Sequence, residues 1–313
     1  MKRRKFIKSL AAAGVTAQIV NIPNNPAHAA NPKSEDTLCI FSKHLQFLPD
    51  YNSMAETAAE IGFDGVDLAV RPGGHVLPEN VERDLPKAVK AIEKFGLKTS
   101  MMVTAITDAG DPYCELTLKI ASQLGIRYYR MGYLSYDYNL GVAASLDKYK
   151  SNLAKLAALN EKLNIHGGYQ NHAGMRIGGP VWDLWELLKD LDSRWIGCQY
   201  DIRHATVEGG FSWPIAMNLL VPYIKTTAIK DFYWSKNEDT WEVQNCMLGN
   251  GMVNFEEYFR LYKKANLSGP VSMHFEYDIY HQPDDLEVKR QKTIAAMSKD
   301  LQTLRTMIKQ HGL

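Results

Sequence analysis

No uninterrupted apolar run in this chain reaches the roughly 18 residues that a membrane-spanning helix needs. Neither sign of charge is in excess: 36 Lys and Arg stand against 35 Asp and Glu, a net +1 that offers no basic surplus for nucleic acid. Cysteine is scarce, four residues with no Cys-x-x-Cys pair, which excludes a disulfide scaffold. The 22 Gly and 13 Pro are too few and too irregular for a collagen-like chain. No Gly-x-Gly-x-x-Gly follows the first strand-like run, which argues against a dinucleotide fold and a nucleotide cofactor. What is present is ordinary: 45% hydrophobic and 23% charged residues over 313 positions, a length suited to one large α/β domain.

The start of the chain reads as an address. Lys2-Arg3-Arg4-Lys5-Phe6-Ile7-Lys8 precedes a modestly apolar stretch, Leu10 to Val20, and Ala27-His28-Ala29 supplies a small-x-small cleavage pattern. This resembles a twin-arginine translocation signal and predicts a cleavable export signal over 1–29, a domain over 30–313, and a periplasmic or otherwise exported protein. Removing 1–29 takes away five cations and no acids, so 36 basic and 35 acidic residues become 31 and 35, a net −4. Export would place Cys39, Cys114, Cys198 and Cys246 where disulfides form. Cys39 and Cys198 lie inside strand-like runs and are expected as small core residues.

Beyond that segment, short apolar runs alternate with amphipathic stretches. Strands are expected to begin near Thr37, Gly65, Lys98, Arg127, Ile165, Trp195, Tyr223 and Pro270, with helices over 54–61, 85–95, 115–124, 146–163, 181–191, 213–220, 255–265 and 286–308. Gly62, Gly96 and Gly125 stand where a helix C-cap would turn into a strand. Eight strand–helix repeats over about 275 residues predict a single (β/α)8 TIM barrel, α/β in class.

Alternate residues of a barrel strand face the interior. In Val271-Ser272-Met273-His274-Phe275-Glu276 the apolar set must face the helices, which turns Ser272, His274 and Glu276 inward. The same reading turns inward Asp67 and Arg71 in strand two, Arg130 in strand four, His166, Gly168, Gln170 and His172 in strand five, Gln199 and Asp201 in strand six, and Ala228 and Lys230 in strand seven. A structural barrel core would be Val, Ile and Leu. Ionisable groups gathered at strand C-terminal ends predict a small-molecule site there, with an interior ion-pair network, for instance Arg130 with Asp67, as the alternative.

The strand ends also carry a pattern. Tyr169-Gln170-Asn171-His172-Ala173-Gly174, Asp201-Ile202-Arg203-His204, Ile229-Lys230-Asp231-Phe232, Gly249-Asn250-Gly251-Met252-Val253-Asn254-Phe255 and His274-Phe275-Glu276-Tyr277 occur in order. With these, nearly the whole chain after the signal resembles the xylose isomerase-like TIM barrel superfamily, the sugar phosphate isomerase/epimerase family. The resemblance implies a divalent metal, Mn, Mg, Zn or Co, held by a Glu, an Asp, a His and a second Glu at the ends of strands five to eight. Asp201 and Glu276 match the Asp and the last Glu. Gln170 stands where the first Glu is usual, and Ala228 where the His is usual. His172, His204 or Gln170 would have to complete a shell begun by Asp201 and Glu276. Asp201 could instead cap the following turn.

The resulting expectation is a carbohydrate-active isomerase or epimerase that removes a proton next to a carbonyl of a free or oxidised sugar. Glu276 is the expected base, His172 or His204 an acid or ligand, and Lys230 the group that polarises a substrate oxygen, with Asp231 orienting it. Arg71, His75, Arg130, Asp231, His274 and Trp234 are the expected substrate-binding residues. Trp234 and Trp241, in the long loop after strand seven, are candidates to stack on a sugar, whereas Trp182 and Trp185 at helical spacing read as core. A missing second glutamate keeps a one-base dehydratase or lyase open, as well as a non-catalytic sugar-binding protein on a decayed enzyme barrel.

Overall fold

Eight parallel strands close into a barrel in a computed structural model that describes residues 37–281 and 283–313. They are β1 (Leu38–Phe41), β2 (Gly65–Ala69), β3 (Lys98–Val103), β4 (Tyr128–Arg130), β5 (His166–Gln170), β6 (Ile196–Asp201), β7 (Ile224–Ile229) and β10 (Val271–Met273), and β1 pairs with both β2 and β10. The expected (β/α)8 barrel is therefore the observed fold. The expected export signal and the start of the domain at residue 30 lie outside the described residues.

Helices pack around the barrel where amphipathic spacing placed them. In α2 (Val81–Lys94) the buried Leu85, Ala88, Val89 and Ile92 form one face at helical spacing. Helix α1 (Tyr51–Ile61) starts at a capping box, Asp50 accepting from Ser53 N, and stops at Gly62, whose φ of 101° is open to a residue without Cβ. The remaining helices are α3 (Cys114–Gln123), α4 (Val142–Leu163), α5 (Val181–Leu188), α6 (Ile202–Gly209), α7 (Trp213–Leu220), α8 (Phe255–Lys264) and α9 (Leu286–His311).

The apolar core lies between strands and helices, and Val271, Met273 and Phe275 belong to it as the period-two reading requires. Inside the barrel the buried set is largely polar, Asp67, Arg130, Gln170, Gln199, Asp201, Lys230, Ser272 and His274, beside a small apolar cluster of Phe41, Ala69 and Val103. Register keeps these groups level, Asp201 being paired with Ala228 and Ala228 with Ser272.

Two elements differ from expectation. The segment after β7 folds as an antiparallel hairpin, β8 (Asp231–Asn237) with β9 (Thr240–Cys246), and helix α6 follows β6 directly. Trp182 is 51% exposed and so is not core. Cys39 and Cys198 are buried as expected, and all four cysteines are free thiols.

Candidate active site

Asp201 closes β6 and is the centre of the barrel mouth. Its Oδ1 accepts from His204 N at 3.0 Å and caps α6, while its backbone is fixed by reciprocal bonds with the Asn171 side chain at 2.7 and 2.9 Å. Its Oδ2 accepts from Gln170 Nε2 at 2.8 Å and lies 3.2 Å from Lys230 Nζ. Gln170 is a bridge: its Oε1 accepts from Arg130 Nη1 at 2.9 Å and from the Tyr133 hydroxyl at 2.7 Å. An amide is the only common side chain of this shape that can donate to a carboxylate on one side and accept from a guanidinium on the other. A glutamate there would face Asp201 as a second negative charge.

Lys230 follows β7 and is buried. Burial pushes its ammonium below the ordinary lysine value, and the charges of Asp201 and Glu276 oppose that push. Glu276 follows β10 and is held by Lys43 Nζ, 3.1 and 3.0 Å from its two oxygens. Burial disfavours its ionisation, but Lys230 and Lys43 outweigh burial and lower its carboxyl to about 2. A cavity of about 290 Å³, lined by Lys43, His44, Phe47, Tyr277 and Tyr280 among others, opens on the Lys43 side. His44 accepts from Phe275 N at 3.1 Å, so this segment after β1 is tied to the Glu276 loop. Beneath lies His274, 4.9 Å from the Phe41 ring centre and 3.2 Å from Ser272 Oγ, which in turn donates to Asp67 at 2.6 Å.

On the other side the rings of His172 and His204 lie 3.9 Å apart, and His172 meets Tyr133 edge-on at 5.0 Å. Burial lowers His172 to about 4 and His204 well below its ordinary value, so both are neutral near pH 7. His204 Nε2 is buried without a hydrogen-bond partner among the described residues, 3.7 Å from Asp201 Oδ2.

The structure thus brings Glu276, His172, Lys230, Arg71, Arg130, His274, Asp201, His204 and Gln170 to one mouth. It does not bring Asp231 there as a substrate group. Both Asp231 oxygens are taken by backbone N–H groups, Phe232 and Val253 on one and Gly249 and Gly251 on the other, at 2.8–3.2 Å. A Cβ at Gly251 would come within 2.2 Å of Asp231 Oδ1, so glycine is needed for that wrap. His75 also stays outside the hydrogen-bonded cluster: its carbonyl accepts from Tyr51, and its ring nitrogens have no partner among the described residues. Trp234 is 39% exposed on β8 and meets Phe232 edge-on.

Residues that sequence reasoning missed are Lys43, Tyr133, Arg176 and Asn245. Asn245, on the hairpin, accepts from Arg203 at 2.5 Å and donates to the Glu276 carbonyl at 3.3 Å, which ties the hairpin to the mouth. Lys43 lies two residues beyond β1, and extending the strand-end reading by that step would have found it.

A divalent cation does not suit this donor set. Asp201 Oδ2 already receives an amide and an ammonium, both Glu276 oxygens face Lys43, and the Gln170 oxygen faces Arg130 and Tyr133. Among the described residues no group of three or more His, Cys, Asp or Glu is arranged to hold a metal ion. The expected ligand set of Asp201, Glu276, His204 and Gln170 is therefore a hydrogen-bonded and ion-paired cluster. Two ammonium groups, Lys230 and Lys43, and the Arg130 guanidinium supply its positive charge.

The family described as the xylose isomerase-like TIM barrel matches residues 55–306. An uncharacterised protein of Methanocaldococcus jannaschii is 23% identical over 249 residues, 73% of this chain and 80% of its own. Among solved structures, D-psicose 3-epimerase with D-tagatose from Clostridium cellulolyticum H10 superposes with a TM-score of 0.65 at 12% identity, over 86% of this chain and 99% of that one. The 3-keto-D-glucoside 4-epimerase of E. coli gives 0.63 at 13%, over 87% and 100%. The probable 3-DHS dehydratase involved in petrobactin synthesis from Bacillus anthracis gives 0.64 at 15%, over 87% and 99%.

Proposed function

Because this chain belongs to the xylose isomerase-like TIM barrel family, we propose that it is a carbohydrate-active isomerase or epimerase-like enzyme that removes a proton next to a sugar carbonyl. The observation that carries the reading is the buried Lys230 ammonium, 3.2 Å from Asp201, at the C-terminal end of the barrel. Such a group donates to the oxygen of a carbonyl and holds the negative charge that develops there when the neighbouring proton leaves. Glu276 is the base. Its low value keeps it ionised at every working pH, and Lys43, which is partly exposed, is the group a substrate oxygen draws away as the carboxylate takes up the proton. Neutral His204, whose Nδ1 accepts from Arg203 at 2.9 Å, is left with an Nε2–H to donate to a substrate oxygen. His172, packed against it, donates from Nδ1 to the Ala173 carbonyl and presents an Nε2 lone pair that can take a proton. The Arg3-Arg4 pattern supports an exported protein acting on free or oxidised sugars.

Gln170 favours a second reading. An amide cannot take a proton, so a symmetrical pair of carboxylate bases on two faces of the sugar is missing, and a one-base dehydration or β-elimination fits as well. Turnover in D2O separates the two. Deuterium at the carbon next to the carbonyl of recovered sugar supports isomerisation, and an unsaturated product supports elimination. Glu276→Gln should lower either by about 10²–10⁴-fold. Unchanged turnover in that variant would refute the reading, and sugar binding without any proton exchange would identify a binding protein.

A further inference from the structure

Each of the two lysines at the mouth meets a carboxylate, Lys43 with Glu276 at 3.0 Å and Lys230 with Asp201 at 3.2 Å. Three guanidinium groups beside them do not. Arg71, just after β2, and Arg130, at the end of β4, both lie against the Phe41 ring, 5.5 and 5.6 Å from its centre. Arg130 and Arg176 lie against Tyr133 at 5.1 and 4.6 Å. Two aromatic rings thus mount three like charges side by side.

Arg130 is 5% exposed, its Nε has no partner among the described residues, and its hydrogen bonds run to the uncharged Gln170 and Tyr133. Among the described residues Arg71 and Arg176 form no ion pair. The neighbouring carboxylate, Asp67, is fully buried, and burial raises it to about 6, so near neutral pH it is still ionised and sets one negative charge against the arginines. Burial and the charge of Arg130 lower Arg71, outweighing the opposing charges of Asp67 and Glu276. One buried carboxylate among three guanidinium groups leaves positive charge in excess, and such an excess held close is costly unless an anion joins it. Contact with a ring occupies the face of a guanidinium and not its N–H edge, the edge that grips a carboxylate or phosphate in pairs. In Arg71 that edge is without a hydrogen bond among the described residues.

We propose that the substrate carries an anionic group, a carboxylate or a phosphate, seated against Arg71 and Arg130 with Arg176 at the rim. The proposal rests on the sugar-directed reading above and names its substrate class. The Gln170 amide separates Arg130 from Asp201 and Lys230, so the anion and the reacting carbonyl occupy two positions of one small molecule. A planar carboxylate matches the guanidinium fork, and a sugar acid fits an exported protein better than a phosphate ester.

The test is calorimetric binding at low salt of D-glucose, D-gluconate, D-glucuronate and D-glucose 6-phosphate to wild type, Arg71→Gln and Arg130→Gln. The Arg71 carbonyl accepts from Gly74 N at 2.8 Å, a bond that any residue keeps, and its side chain forms no hydrogen bond among the described residues. Its variant should therefore keep the wild-type Tm even if Arg130→Gln loses stability. The expected result is binding of an anionic probe over D-glucose, weakened about tenfold or more in Arg71→Gln and by added salt. The tighter of the carboxylate and phosphate probes identifies the source of the charge. No preference for anionic probes, or an Arg71→Gln variant that binds them as wild type does, overturns the proposal. An anion bound through Arg71 without proton exchange would refute the catalytic reading alone. Turnover of neutral sugars indifferent to Arg71 would refute this proposal alone.

Discussion

Lys230 Nζ lies 3.2 Å from Asp201 Oδ2, with both side chains out of solvent, at the level of the barrel where catalytic groups of this architecture gather. A buried pair of this kind is weak evidence for stability, since desolvation offsets most of the attraction. Its consequence is placement, because it fixes an ammonium in the mouth with N–H groups left to donate to a substrate oxygen.

Asp201→Asn should reveal the cost of leaving that ammonium unpaired. The neutral amide cannot hold Lys230, and breaking one side of a buried pair costs about 3 kcal/mol or more. Denaturant unfolding should show that loss, and Asp201→Asn with Lys230→Met should recover part of it. A double variant no more stable than the single one contradicts the pairing.

Lys43 is a positioning residue for Glu276. Lys43→Ala removes one of the two ammonium charges that hold the Glu276 carboxyl at about 2, so its value must rise. The acid limb of the kcat/KM profile should move to higher pH, and Lys43→Arg should restore it. An acid limb that stays where it was would show that Lys43 does not act on Glu276.

Asp231 should behave as a structural residue. Asp231→Ala strips an acceptor from four backbone N–H groups, three of them around the 249–253 loop. Each buried donor left alone costs about 1–3 kcal/mol, so a total above about 2 is expected, with a falling Tm. Gly251→Ala should do the same through its clash with Asp231. A substrate role would instead raise KM and leave Tm unchanged.

Stability should fall with acid well before carboxylates of ordinary value protonate. Burial lowers His75 and His166 to about 4 and His44 to about 3, against an ordinary 6.5. The folded state therefore binds fewer protons than the unfolded one, and stability present above pH 6.5 is lost as pH falls towards 4. Asp67 and Asp300, raised by burial to about 6, work in the opposite sense by favouring the fold on protonation. The histidines outnumber them, so Tm should drop between pH 6.5 and 4. A Tm that holds or rises across that range would contradict the neutral buried imidazoles.

Much of this site was legible because strand periodicity is rigid. Once Val271, Met273 and Phe275 had to face helices, Ser272, His274 and Glu276 had nowhere to go but inward, and the same geometry turned Gln170, Asp201 and Lys230 inward. What it missed lies beyond the strands. Lys43 reaches Glu276 across 233 positions from a turn after β1, a pairing that no local spacing encodes. Asp231 looked like a partner for Lys230 because the two are adjacent, yet its oxygens serve backbone donors from a loop about 20 residues away. The hairpin formed by β8 and β9 is exposed along most of its length and carries little hydrophobic alternation to mark it. Ala228 and Gln170 were visible as departures from the ligand pattern. Only the positions of Lys230, Lys43 and Arg130 show what fills the mouth in place of a metal-binding set.

The most direct test of this account is the divalent metal content of the full-length protein purified without chelator, compared with Asp201→Asn plus Glu276→Gln, before and after incubation with Mn or Zn. The account predicts no stoichiometric metal in either protein, with Lys230→Met abolishing turnover of any sugar the wild type converts. A stoichiometric metal in the wild type that disappears in the double variant would contradict it.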